Sequence, residues 1–186
     1  SYYTAWLGGG VEVRVPFGDR LQLRGRGRVR YQDYTDTEET PDGDRRGVRG
    51  EIGIGGTLLL SPRDFVDGFA YLDNVGAEER FVAYQEVGTS LVAGHRFPIT
   101  DAGPLELLTV YAGGSVARAR YREADPLIEP GTRRRDWSYT ARAGAVAELG
   151  PRLALTTEIS HQMISSNISI YEYDNTSVLV GRKVRF

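Results

Sequence analysis

Apolar and polar residues alternate along most of the chain, with a period of two residues. In residues 21–31 the odd-numbered positions are leucine, glycine, valine and tyrosine, whereas the even-numbered positions are glutamine and four arginines. Four arginines at alternate positions cannot form one stripe of a helix, because neighbours on a helix face recur every three or four residues. We therefore predict a β-strand here, with arginine on one face only.

The same alternation predicts nine strands and no helix. They cover residues 3–17, 21–31, 48–60, 65–75, 81–98, 105–122, 137–149, 153–162 and 178–186. Short turns at 18–20, 61–64, 100–103 and 150–152 alternate with longer polar connections at 35–47, 123–136 and 164–175. Tight turns at one end and longer loops at the other are typical of outer-membrane β-barrels, in which the long loops face outward.

Composition is compatible with this architecture. The 186 residues suit one domain, 1–186. No run of about eighteen apolar residues occurs, so we predict no transmembrane helix, whereas a membrane strand needs only about 9–11 residues with alternate positions apolar. The 23 glycines and 11 tyrosines favour strands, turns and interfacial aromatic residues. The absence of cysteine excludes disulfides and thiol chemistry. The net charge of −2 gives no indication of nucleic-acid binding.

The tail carries a more specific pattern. Gly181, Val184 and Phe186 have the spacing Gly-x-x-Val-x-Phe, which resembles the C-terminal targeting signal of bacterial outer-membrane β-barrels. The polar residue usual two positions before the glycine is Leu179 here. Residues 5–12, 143–149 and 180–186 look like the glycine-rich hairpins and closing strand of OmpA-like outer-membrane β-barrel domains.

The resemblance implies a small barrel in the bacterial outer membrane, inserted by the barrel-assembly machinery and surrounded by outer-membrane lipid, including lipopolysaccharide. Other envelope proteins are possible partners. The resemblance carries over no catalytic residue and no cofactor. The fold class predicted is therefore all-β, a small antiparallel up-and-down transmembrane β-barrel. We expect a structural or interaction role and no enzymatic activity.

The number of strands is left open at eight or ten. Single-chain bacterial barrels normally have an even number of strands, whereas the pattern predicts nine. Either a further strand precedes Ser1, or one predicted strand is wrong. The segment 65–75 is the least regular of the nine.

If the apolar positions face lipid, the opposite positions face the interior of the barrel. We predict an ion-paired network that fills this interior, because a small barrel is just wide enough for side chains and arginine pairs well with carboxylates. Its members are Glu12, Arg14, Arg24, Arg26, Arg28, Arg30, Arg49, Glu51, Glu86, Arg118, Arg120, Arg142, Glu148 and Glu158. Outside, Tyr31, Tyr121, Trp137 and Tyr139 are expected in an aromatic girdle.

Three other functions stay open. The inward arginines could line a narrow anion-selective pore. A soluble lipocalin-like barrel would use the same strands, although unpaired buried charge is costly there. An outer-membrane lipid-modifying hydrolase would need His161 as base with Ser160, Ser165 or Ser166 and Glu172. Deacylases of the PagL type have His-x-Ser-Asn, and the spacing from His161 differs from it.

Charged loops offer two further hypotheses. Clustered carboxylates in the first long loop could bind calcium; they are Glu38, Glu39, Asp42 and Asp44. The run Arg133-Arg134-Arg135 could contact lipopolysaccharide phosphates. A solvated loop is the better explanation of the acidic cluster and an at least equally good explanation of the arginine run, since charged runs are common on surfaces.

Overall fold

The structure is a computed structural model that describes residues 4–34, 46–100 and 103–184. The described residues form nine β-strands and a 3₁₀-helix, Ser169–Tyr171. The strands are β1 Thr4–Phe17, β2 Leu21–Tyr34, β3 Gly47–Leu59, β4 Asp64–Val75, β5 Tyr84–Pro98, β6 Leu105–Ala124, β7 Arg133–Leu149, β8 Leu153–Ser166 and β9 Tyr173–Val184. All nine predicted strands are present, including the irregular segment 65–75. In the described part of the chain, no helix has the length and apolar character needed to cross a membrane.

The strands form one sheet in the order β1 to β9, and each pairs antiparallel with the next along the chain. The all-β, up-and-down part of the prediction is therefore confirmed. The sheet is not closed into a barrel, because β1 and β9 do not pair with each other. The described residues also contain nine strands rather than eight or ten. With nine alternating strands, β1 and β9 run in the same direction, so they cannot close the sheet as an antiparallel pair.

Two predicted loops are shorter in the structure. β7 already begins at Arg133, inside the predicted connection 123–136. β8 continues to Ser166 and β9 begins at Tyr173, inside the predicted connection 164–175. Polar residues at these strand ends stay in register across the sheet, for example Asp136 opposite Ser166. The polar residues in these segments therefore belong to the ends of β7, β8 and β9 and not to loops.

Glycine sets the geometry of the tight turns. Gly18 and Gly150 have φ of 65° and 69°, a left-handed conformation that other residues adopt only with strain. Each lies directly after a strand, where the chain must reverse within a few residues. These turns place β1 beside β2 and β7 beside β8.

Aromatic side chains lie over glycines of the neighbouring strands. The Phe69 ring covers Gly53 and Gly55 of β3. The Tyr71 ring covers Gly88 of β5, where a Cβ would lie 2.5 Å from Tyr71 Cζ. These rings occupy the space that a side chain at each glycine would fill. The aromatic residues and the glycines therefore pack against each other, and neither can be enlarged alone.

This packing predicts that Gly55→Ala destabilises the protein. A Cβ at position 55 would lie 2.6 Å from Phe69 Cδ2 and would also overlap the Gly68 carbonyl oxygen, which belongs to the backbone and cannot move away. We expect a loss of about 1–3 kcal/mol in the free energy of unfolding. Gly25→Ala is the matched control, because nothing lies within 4 Å of a Cβ there. Urea unfolding of both variants measures the difference, and equal stabilities would contradict it.

Candidate functional site

The sheet has two chemically different faces. We call the face that carries Arg24 and Asp67 the inner face, and the opposite one the outer face. Residues from strands five apart in the sheet, such as Arg24 of β2 and Arg142 of β7, line one cavity of about 360 Å³ together with Phe69. The sheet therefore curls so that the inner faces of distant strands approach each other.

The outer face is apolar and exposed. Leu7 is 80% exposed, Ile54 68% and Val180 78%, whereas the most exposed large apolar residues of β4 and β6 are Leu72 at 47% and Val110 at 37%. Charged residues at outer positions lie toward the strand ends; they include Asp64, Arg118, Arg120, Arg122, Arg135, Asp174 and Arg182. Monomeric soluble proteins rarely expose an apolar surface this extensive, and such surfaces are typical of protein, ligand or membrane contacts.

The best-bonded carboxylate of the inner face is Asp67. The Arg24 guanidinium donates two hydrogen bonds to it, Nη1 to Oδ2 at 2.9 Å and Nη2 to Oδ1 at 2.8 Å. The Thr57 hydroxyl donates a third, at 2.6 Å. This fork-to-fork pairing of guanidinium and carboxylate is the strongest arrangement available to arginine. Asp67 therefore ties β2, β3 and β4 together.

Two more ion pairs continue the network. Arg26 Nε donates to Glu51 Oε1 at 2.8 Å, and Arg49 Nε donates to Asp73 Oδ2 at 2.5 Å. Asp73 is completely buried. The guanidinium groups of Arg24 and Arg26 also lie 5.1 Å and 4.4 Å from the centre of the Phe69 ring, within the range of a cation–π interaction.

The other predicted carboxylates have different partners. Glu86 accepts a hydrogen bond from the Tyr71 hydroxyl at 2.8 Å, and Glu158 one from Tyr111 at 2.8 Å. Glu12 pairs with Arg14, two residues along the same strand, in an exposed position. Among the described residues, four further members lie on the inner face without a salt bridge or side-chain hydrogen bond: Arg28, Arg30, Arg142 and Glu148.

Sequence analysis missed Asp67 and Asp73. Both lie on β4, whose alternation was the least regular. The sequence does contain a pattern that could have revealed them. On alternate positions of β4, two aspartates flank two aromatic residues: Asp67, Phe69, Tyr71 and Asp73. That face is the acidic complement of the arginine face of β2.

Arg118 and Arg120 are not part of the inner network. The register places Arg118 opposite Trp137 and Arg120 opposite Arg135, all on the outer face. The inner positions that precede Arg118 and Arg120 are Ala117 and Ala119, which are buried. The prediction is wrong because it took alanine as a lipid-facing residue.

Bulky neighbours explain why alanine lies inside. The Tyr84 and Tyr121 rings pack on the inner face with their centres 5.1 Å apart. Only small side chains fit beside them, so alanine is directed inward and arginine outward. Tyr121 is consequently not on the outer face with the predicted girdle residues Tyr31, Trp137 and Tyr139.

The run 133–135 belongs to a strand, and its members differ in their surroundings. Arg134 lies between the rings of Tyr121 and Tyr171, at 4.5 Å and 3.6 Å from their centres, and its Nη2 is 2.6 Å from Asp136 Oδ2. The Tyr171 hydroxyl donates to Asp125 at 3.3 Å. Burial raises the pKa of Tyr171, and the Asp125 carboxylate raises it further. These contacts hold the connection between β8 and β9 against the first residues of β7, on the inner face.

The residues considered for hydrolysis do not form a triad. His161 lies on the outer face, where its Nδ1 is 2.9 Å from Thr176 Oγ1. Ser160 lies on the inner face and bonds with Ser177. Glu172 accepts a hydrogen bond from the backbone N–H of Ser166. The described contacts therefore bring no serine and no carboxylate to the imidazole of His161.

The remaining predicted residues are at the chain ends and loops. Gly181 is at an inner position and Val184, which is exposed, at an outer one. Phe186 lies outside the described residues, as do the four acidic residues considered for calcium: Glu38, Glu39, Asp42 and Asp44. In the described ranges, no group of three or more histidine, aspartate or glutamate residues has the arrangement of a metal site.

Comparison with protein-family models finds no match, and comparison with curated proteins finds no significant match. The resemblance to OmpA-like domains therefore stays a prediction that rests on the residues quoted for it.

Proposed function

We propose that this protein is a small bacterial outer-membrane β-barrel whose interior is held by ion pairs, with a structural or interaction role in the cell envelope. The observation that carries the proposal is the division of the faces. Large apolar side chains are exposed along the outer face of every strand, while the Arg24–Asp67, Arg26–Glu51 and Arg49–Asp73 pairs are on the other. Alternation of apolar and polar residues with this orientation is what a lipid-facing strand requires.

The height of the uncharged region supports the same proposal. On β7, the outer positions from Trp137 to Leu149 carry no charged residue. Thirteen residues in a strand extend roughly 40 Å, which a tilt of about 40° reduces to roughly 30 Å. The hydrocarbon core of a bilayer is about 30 Å thick. Trp137 and Tyr139 then lie at one boundary of this region, where aromatic residues are favoured.

The proposal requires a further strand between β9 and β1. Both edges present backbone donors and acceptors, and these groups must be satisfied in lipid because no water is present to bond them. One strand that runs antiparallel to both edges would complete a ten-stranded barrel. Outer positions of that strand would have to be apolar, to continue the surface on which Val11 and Val180 lie.

The proposed role within the envelope rests on what the two faces and the connections between strands can contact. Outer-membrane lipid, including lipopolysaccharide, would surround the outer face, the barrel-assembly machinery would insert the strands, and the connections between strands would be free to contact other envelope proteins. The ion pairs of the inner face join β2, β3 and β4 to one another, which is a structural task.

A narrow anion-selective pore is the second candidate. Arg28 and Arg30 line a second cavity, of about 660 Å³, beside β1. In the described part of the chain neither arginine pairs with a carboxylate. Planar-bilayer recording separates the two candidates: a stable anion-selective conductance that Arg28→Gln/Arg30→Gln lowers would favour the pore, and its absence would favour the structural role.

Heat modifiability tests the membrane proposal directly. The protein, expressed with a leader for export, is expected in the outer-membrane fraction, and unboiled samples should migrate on SDS gels at a different position from boiled ones. A closed barrel resists SDS because all its backbone hydrogen bonds are internal. A protein that stays soluble without detergent and shows no shift would contradict the proposal and favour a soluble barrel.

A further inference from the structure

Four arginines lie together on the outer face, near the long connections. We call Arg118, Arg120, Arg122 and Arg135 the arginine patch. The first three occupy alternate positions of β6, and Arg135 lies directly opposite Arg120 on β7. The neighbouring outer residues, Asn74, Gln85 and Ser165, are neutral. The arginine patch therefore concentrates positive charge on a face that is otherwise apolar.

Nothing in the described residues neutralises this charge. Arg120 and Arg135 face each other across the strand pair, and like charges in this position repel. Neither of them, nor Arg118, forms a salt bridge with a described carboxylate. Arg118 lies with its guanidinium 5.1 Å from the centre of the Trp137 ring, and its buried Nε has no hydrogen-bond partner among the described residues. Arg122 donates to the neutral Asn74 side chain at 2.9 Å.

A groove runs from the arginine patch along the outer face. It has a volume of about 560 Å³ and its lining is mostly apolar. Arg118 and Arg120 lie at one end, and Leu72, Val87 and Val116 continue it toward the middle of the strands, with Trp137 along its side. A molecule that fits both parts has an anionic head and an apolar chain.

We propose that the arginine patch and this groove bind an anionic membrane lipid, with its phosphate group on Arg118, Arg120 and Arg135 and an acyl chain along Leu72 and Val87. Guanidinium groups pair with phosphate, as they do with carboxylate, through two parallel hydrogen bonds. The inference rests on the proposed membrane location, because it assigns a particular lipid to the arginine patch only if the outer face contacts lipid.

The test uses Trp137 as a reporter of the lipid beside the arginine patch. The chain has two tryptophans, and Trp6→Phe leaves Trp137 as the only one. This variant is reconstituted in phosphatidylcholine vesicles that contain a minor fraction of lipid brominated on its acyl chains. The brominated lipid is either phosphatidylglycerol, which is anionic, or phosphatidylcholine, which is neutral overall. Bromine quenches tryptophan fluorescence on contact, so quenching measures which lipid occupies the groove.

We expect brominated phosphatidylglycerol to quench Trp137 more strongly than brominated phosphatidylcholine does. The difference should correspond to a local concentration about fivefold or more higher, since each arginine near a membrane surface favours anionic lipid by about that factor. Arg118→Gln/Arg120→Gln/Arg135→Gln should abolish the preference. The matched control is Arg63→Gln/Arg152→Gln/Arg182→Gln, which removes the same amount of charge at the tight-turn end of the sheet. This variant should keep the preference for phosphatidylglycerol.

The outcomes separate this inference from the membrane proposal. Equal quenching by the two brominated lipids, or a preference that survives in the arginine-patch variant, would overturn the lipid site while leaving the barrel in the membrane. A loss of preference in the control variant as well would also overturn it, because net charge would then explain the effect. No quenching by either lipid would mean that Trp137 does not contact acyl chains, and the membrane proposal itself would fail.

Discussion

Replacing Asp67 with alanine is expected to lower the free energy of unfolding by about 2–3 kcal/mol. The substitution removes the acceptor of three hydrogen bonds, two from Arg24 and one from Thr57. It leaves the Arg24 guanidinium, about a quarter exposed, without its carboxylate. Breaking a fully buried pair costs about 3–5 kcal/mol, and the partial exposure of this pair reduces the figure. Reversible urea unfolding, in the lipid or detergent in which the protein folds, measures it.

Two comparisons show whether the loss comes from the unpaired charge. Glu12→Ala breaks an ion pair that is mostly exposed and screened by water, so it should cost much less than Asp67→Ala. Arg24→Met/Asp67→Leu replaces both charges with apolar side chains and should recover most of the stability lost in Asp67→Ala. Equal effects for Asp67→Ala and Glu12→Ala would mean that the inner network does not hold the sheet together.

The second large effect is expected on the outer face. Ala143→Arg places a charge in the middle of β7, between Ala112 of β6 and Ile159 of β8 in the register. An arginine on the lipid face costs about 2–4 kcal/mol at the middle of a bilayer and about 0–1 kcal/mol near its boundaries. If the outer face lies in lipid, as proposed, Ala143→Arg should therefore lower the free energy of unfolding in vesicles by about 2–4 kcal/mol.

The position of the charge provides the control. Leu149→Arg introduces the same side chain at the last residue of β7, beside the tight turn, where the expected cost is about 0–1 kcal/mol plus the lost contacts of leucine. A protein whose outer face meets water would show little effect at Ala143, because exposed surface substitutions usually stay within about 0.5 kcal/mol. Near-equal stability of Ala143→Arg and the parent protein would contradict the lipid-facing proposal.

The error at Arg118 shows where alternation stops being informative. A period of two divides residues into two faces but does not say which face is inside. On β2 the choice was clear because leucine and valine alternate with arginine. On β6 the alternatives were alanine and arginine, and the Tyr84 and Tyr121 rings decided between them by filling the inner space. Tyr84 of β5 and Tyr121 of β6 are 37 residues apart in the sequence, so no local pattern reveals that their rings pack together.

The partners of the inner network were also outside the reach of the sequence. Sequence analysis placed Arg24 and Arg26 opposite the apolar positions of β2, which the register reproduces. It did not find Asp67, because a pairing across 43 residues depends on the register of three strands. It also expected arginine partners for Glu86 and Glu158, and both accept hydrogen bonds from tyrosine.

The sequence by itself determined the nine strands, their division into an apolar and a charged face, and the positions of the tight turns, because each depends on residues that are neighbours in the chain. Only the tertiary structure decided that β1 and β9 stay unpaired, that Arg118 and Arg120 face outward beside Arg135, and that Asp67 and Asp73 hold the inner face. These features depend on strand register and on competition for space between distant side chains, which a local period of two does not record.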